Sequence, residues 1–161
     1  SKVMSWVALD RGIRMAEELR LEGDTARWSA ARDALHAEIM ERGWSEARQS
    51  FLQSYDDNVL DAAALAIPMF RFLPWNHPRV HSTVRAIARE LTTVDGELVY
   101  RYRHPDGIEG EEGAFSICTF WLAQALAMIG DRERADIVSC GYRRVTLASR
   151  LAKASMRASA A

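Results

Sequence analysis

Apolar residues recur along this chain at spacings of three and four, then stop and restart at glycines and prolines, which is the pattern of successive amphipathic helices. Trp6, Leu9, Ile13, Ala16 and Leu19 fall on one stripe, with Arg11, Arg14, Glu17 and Glu18 largely on the other side. Gly23 is expected to break this helix, and Asp24 or Thr25 to cap the next one with a side-chain oxygen that accepts from free backbone amides. The second stripe is Trp28, Ala31, Leu35 and Ile39, closed by Gly43 in the left-handed conformation of a helix end. So short a link makes an antiparallel pair. Residues 43–58 read as an irregular or briefly extended connection. A third helix is expected from near Asp57, with Asp57 or Asn58 as its cap, to Pro68, which ends or kinks it.

After a loop, "FRFLPWNHP", Pro78 suits the first position of a fourth helix, where its missing N–H costs nothing, and Val80, Val84, Ile87 and Leu91 carry the stripe. Asp95-Gly96 signals a turn, and Leu98, Tyr100 and Tyr102 alternate with Val99, Arg101 and Arg103, predicting a short strand or hairpin near 97–103. The fifth helix, "AFSICTFWLAQALAMIG", is apolar nearly all round and is expected to be buried on most sides. Asp131 caps a sixth. From residue 137 to residue 161 basic residues appear without one acidic residue, among Ala and Ser. That stretch reads as a divergent basic tail following a domain of residues 1–136. The fold class is all-α, an array or toroid of paired helices with one short strand or hairpin.

Composition narrows the function. With 161 residues, 48% of them hydrophobic, the chain can bury one core. Lys and Arg number 21 against 22 Asp and Glu, a formal net charge of -1, so the electrostatic footprint of a nucleic-acid binder is missing. No apolar run is long enough to span a bilayer, so no membrane partner is expected. Two cysteines, Cys118 and Cys140, both in predicted helices, argue for reduced thiols and a cytoplasmic setting. The chain lacks an initiator Met and is helix-periodic from its first turn, which leads us to expect a fragment.

The loop after the predicted strand concentrates Asp106, Glu109, Glu111 and Glu112, with Arg101 and Arg103 before it. Their spacing does not match a calcium loop. Two readings compete: a hydrated connection, or the rim of a polar cavity in which carboxylates and guanidinium groups offer acceptors and donors to sugar hydroxyls. Glu111 and Glu112 precede a helix whose dipole favours anionic groups. His77 and His81 are four apart, but a third ligand and a partnering glutamate motif are missing, so no metal is expected. His36 and His104 read as surface or loop residues. No Ser-His-Asp ordering, nucleophile elbow, Walker loop or dinucleotide fingerprint is present, and no cofactor is implied. Either Asp57 or Asn58 caps the third helix while Asp61 is solvated, or Tyr55 and Asp61 support a pocket. Trp44, Trp75 and Trp121 are candidate platforms for a sugar ring, whereas Trp6 and Trp28 sit on apolar stripes and read as core.

The stretches "SKVMSWVALDRGIRMAEEL", "SYDDNVLDAAALAIPMFRFLPWNHPRV" and "LVYRYRHPDGIEGEEGAFSICTFWLAQALAMIGDRERA" closely resemble, in order and separation, the later catalytic domain of bacterial glycoside hydrolase family 15, the glucoamylase and trehalase family. The resemblance covers about residues 1–136. It implies an incomplete (α/α)6 toroid and inverting hydrolysis of α-glucosidic bonds by two glutamates, one protonating the leaving oxygen and one activating water. In similar sequences the acid lies before the counterpart of Ser1 and the base lies beyond the helix that follows "AMIGDRERA", so no catalytic residue is assigned here. The tail after Asp136 departs from the family pattern, as a truncation or shifted frame would produce. The resemblance makes Arg101, Arg103, Glu111 and Glu112 part of the sugar-binding wall. It implies an α-linked glucoside or glucan as partner, a chain inactive alone, and self-association through uncovered helix faces. The alternative is a non-catalytic helical interaction or sugar-binding module.

Overall fold

A computed structural model describes residues 1–55, 57–103 and 113–144. The first pair of helices forms as the periodicity predicts: α1 is Lys2–Leu19 and α2 is Thr25–Arg42, with Asp24 accepting from the Arg27 amide as N-cap. Both ends differ from expectation. α1 stops before Gly23, because Arg20 takes the left-handed turn at φ 52 and the Leu21 amide returns to the Ala16 carbonyl. Gly43 follows α2 at φ -81, so handedness is not its role there; a Cβ at that position would lie 2.7 Å from the Ile39 carbonyl oxygen. α2 is also less buried than its stripe suggests. Ile39 alone is fully buried, and Trp28 lies half-buried over Gly23, correcting its reading as core. Trp6 is core. Its ring meets Phe72 edge-on at 5.1 Å, and His36, read above as a surface residue, packs 4.6 Å from the same phenyl ring and ties α2 to the pair.

The connection contains a two-residue antiparallel hairpin, β1 Trp44–Ser45 and β2 Ser50–Phe51, with Trp44 opposite Phe51. The expected helix from Asp57 does not form. The chain stays irregular up to Asp61, which caps a 3₁₀ turn, Ala62–Leu65, running into a one-turn α3, Ala66–Met69. Asp61 starts the turn where it does because its carboxylate accepts the Ala63 amide at 2.7 Å.

α4, Pro78–Glu90, has Pro at its first position and buries Val80, Thr83, Val84, Ala86 and Ile87; Leu91 follows in the core. Of the strand or hairpin expected near 97–103, only a minimal antiparallel pairing forms, with the Thr93 amide donating to the Leu98 carbonyl at 2.9 Å and the Tyr100 amide to the Leu91 carbonyl at 2.8 Å. A turn through Gly96 at φ 73 leads to one isolated bridge, Thr92 to Val99. Val99 is pulled into the core, where its amide is taken by the Thr119 hydroxyl.

α5, Ser116–Met128, buries Cys118, Thr119, Leu122, Ala125 and Leu126 against the 3₁₀ turn and α4. Its other side, with Ile117, Phe120 and Met128, is exposed, although the Phe120 ring lies 4.2 Å from that of Tyr142. The expectation of burial on most sides is therefore corrected. A sixth helix, α6, runs over 132–144 with Asp131 accepting from the Arg134 amide. Ala135 and Val138 join the core, and Gly141 meets the backbone of Glu97 so closely that a Cβ there would lie 2.7 Å from its Cα. No helix among the described residues is long and apolar enough to cross a membrane.

Candidate functional site

Three segments converge at the start of α5. The 3₁₀ turn presents Asp61, nearly buried at its side chain; the stretch after Val99 presents Arg101; and the first turn of α5 presents Cys118 and Thr119. Backbone bonds lock them together. The Ala62 amide donates to the Arg101 carbonyl at 2.8 Å, the Phe115 amide to the Val99 carbonyl at 2.8 Å, and the Thr119 hydroxyl bridges by accepting the Val99 amide and donating to the Phe115 carbonyl, both at 3.1 Å.

Within this frame Asp61 has two tasks. Oδ1 caps the turn, while Oδ2 faces Nε of Arg101 at 3.6 Å. The half-exposed guanidinium is thus anchored at Nε, 5.7 Å from the Tyr102 ring, and its terminal nitrogens take no part in that ion pair. Arg103 is held elsewhere: its Nη2 donates to the Thr92 carbonyl at 3.2 Å and its guanidinium lies 4.3 Å from the Tyr100 ring. Glu111 and Glu112, with Asp106, Glu109 and His104, lie outside the described residues.

Burial pushes the Cys118 thiol up from 9.0 to about 11, with the Asp61 carboxylate adding to the effect. A thiol raised in this way is protonated and unreactive near neutrality. At pH 8 a thiol reagent should therefore modify exposed Cys140 and spare Cys118 until denaturant is added, as counted by intact mass. The sign of the linkage follows. Folding holds this proton more tightly than the unfolded chain does, so the contribution is full below about pH 9 and fades as the pH rises toward 11.

The other candidates are accounted for by structure. Tyr55 and Asp61 are not brought together: Tyr55 has Lys2 5.1 Å and Arg42 4.6 Å from its ring, at the α1–α2 edge, and its hydroxyl pKa is raised by burial first and by Glu38 second. Trp44 is covered by Arg79 at 4.7 Å and by Phe51, so its indole serves packing. Trp75 and Trp121 are partly buried against the core. His77 spends Nδ1 capping α4 through the Arg79 amide, and no cluster of three metal-ligating side chains occurs among the described residues.

Sequence reasoning missed Asp10. It is buried on α1, where Arg11 and Arg14 reach its Oδ2 at 2.8 and 3.1 Å. Its place within the apolar stripe, three residues before Ile13, was the available signal.

A family model described as glycosyl hydrolases family 15 matches residues 1–144. A trehalase of Mycobacterium tuberculosis is 50% identical over 138 residues, covering 84% of this chain and 20% of that protein. A trehalase of the archaeon Thermoplasma volcanium is 38% identical over 135 residues, again 84% of this chain and 22% of that protein. This chain therefore spans about a fifth of the length of these relatives. Among solved structures, a glycosidase variant in complex with glucose superposes with a TM-score of 0.64 at 20% identity, over 78% of this chain and 33% of that one. The wild-type form of a glycosidase gives 0.61, also at 20% identity, over 74% and 31%. These likenesses show the fold, the partial helical toroid expected from the paired helices.

Proposed function

Since this chain belongs to glycosyl hydrolase family 15, we propose that it forms part of the sugar-binding wall of an inverting α-glucosidase, with trehalose as the substrate. The observation that carries the choice of sugar is the identity shared with trehalases from bacterial and archaeal sources. Arg101 is the principal wall residue. Its Nε is held by Asp61, and its terminal N–H groups suit the acceptor oxygens of a glucose unit. Arg103, braced on the Thr92 carbonyl, steadies the same stretch. Glu111 and Glu112 complete the wall as acceptors for sugar O–H groups.

Inversion requires a carboxylic acid to protonate the leaving oxygen and a carboxylate on the opposite face to activate water, the two carboxyl groups standing about 6.5–9.5 Å apart. In this reading the wall orients the sugar, and that acid–base pair comes from elsewhere in the glycosidase. The chain alone binds and does not hydrolyse.

Incubating it with trehalose, maltose, isomaltose and dextrin, with glucose release and binding measured separately, tests both halves. The expected result is saturable trehalose binding, weakened by Arg101→Ala, with glucose release at background. Turnover well above background would overturn the assignment of catalysis elsewhere, and absence of binding to all four sugars would overturn the wall.

A further inference from the structure

Away from Arg101, one to two helical turns further along α5, a cavity of about 230 Å³ opens between the α4 C-terminus, the 94–96 turn, α5 and α6. Its floor is apolar: Val94 and Ile137 are exposed over the buried Leu122, Leu126 and Val138, while Asp95 and Arg134 also line it. A second concavity of about 370 Å³ adjoins it, since Ala88 and Arg134 line both. Apart from Ala88 this outer basin is charged, with Arg85 and Arg89 from α4, Arg134 from α6, and one carboxylate, Asp131.

The charges in the basin are poorly balanced. Arg85 and Arg89 stand four apart on one helix, where like charges repel. Arg89 shares Glu90 with Arg48, and Arg134 lies 3.8 Å from Asp131, itself occupied as the α6 cap. Arg85 makes no ion pair or hydrogen bond among the described residues. Three guanidinium groups from two helices around one opening fit the oxygens of an anionic head, which they can bind with paired N–H donors. The apolar floor beside them has no use for such a head. It does suit a hydrocarbon body, and its volume, below the ~300–1,000 Å³ of pockets for drug-sized ligands, limits that body to a short chain or single ring.

We propose that this joined cavity binds an amphipathic organic anion: a short apolar body against Val94 and Ile137, with a phosphate or carboxylate head among Arg85, Arg89 and Arg134, on the side away from Asp95. The site uses none of the residues assigned to the wall, although Thr92, which lines it, anchors Arg103 through its carbonyl.

Calorimetric titration of the chain with octyl phosphate, octanoate, inorganic phosphate and octyl glucoside, each below its micellar concentration, provides the test. Octyl phosphate or octanoate should bind one to one, at least tenfold more tightly than both inorganic phosphate and octyl glucoside; which of the two is tighter identifies the head. The double variant Arg85→Ala/Arg89→Ala, both positions being exposed on α4, should weaken that binding at least tenfold while the melting temperature stays unchanged. Equal affinity for octyl glucoside would remove the arginines from the site, and equal affinity for inorganic phosphate would remove the apolar floor. Unchanged affinity in the double variant, or no binding of either amphiphile, would overturn the proposal.

Discussion

Ile87→Ala should destabilise the fold by about 3 kcal/mol, whereas Arg85→Ala, two residues earlier on the same helix, should change stability by less than about 0.5 kcal/mol. Ile87 has no exposed surface and sits at the centre of α4's buried face, beside Val84 and Leu91. Truncation removes the transfer free energy of three carbons and leaves a void that close-packed neighbours fill only in part. Arg85 leaves α4 on the solvent side and makes no contact whose loss would be felt. Urea unfolding followed by circular dichroism measures both. In a chain of this size the Ile87 variant should melt roughly 6–12 °C lower. Equal midpoints for the two variants would mean that α4 does not bury the face described.

Asp61→Ala should cost about 2 kcal/mol and weaken trehalose binding as Arg101→Ala does, while Asp61→Asn should keep most of the stability and lose much of the binding. The contrast rests on the two oxygens. Asn retains an oxygen to accept the Ala63 amide, so the 3₁₀ turn keeps its start, but it has no charge to hold the Arg101 guanidinium. Alanine removes both. Little of the cost arises from the ion pair as such, because Arg101 is half exposed and the attraction is screened. Stability and affinity should therefore separate across the two variants. If they fall in parallel, Asp61 acts on Arg101 through the fold alone.

Local chemistry decided which parts of this architecture could be read from the chain. α1, α2 and α4 were legible because each has an apolar stripe, and two of them a local start signal: Asp24 as the cap of α2 and Pro78 at the first position of α4. The 3₁₀ turn was not, because Asp57 and Asn58 read as the caps of a longer helix and Asp61 as a solvated residue within it. Only the pairing of Ala62 with Arg101 and the ion pair behind it select Asp61. The alternation at 98–103 suggested a strand, but Val99 is drawn to the Thr119 hydroxyl on α5, a partner 20 residues away that no local pattern announces. For α5 composition misled: an apolar surface shows that a helix can be covered all round, and says nothing of which sides have neighbours. In the site, the arginines were visible as a charged pair. That Arg101 and Arg103 have different anchors was not, since both anchors come from segments distant in sequence or from backbone carbonyls.

The bare Cα of Gly141 has a reach well beyond its own helix. Because α6 rests there directly on the backbone of Glu97, four residues before Arg101, even a methyl group would act as a wedge, prying apart two segments that are neighbours only in space. The guanidinium assigned to the sugar thus depends on a position forty residues downstream having nothing at all to offer.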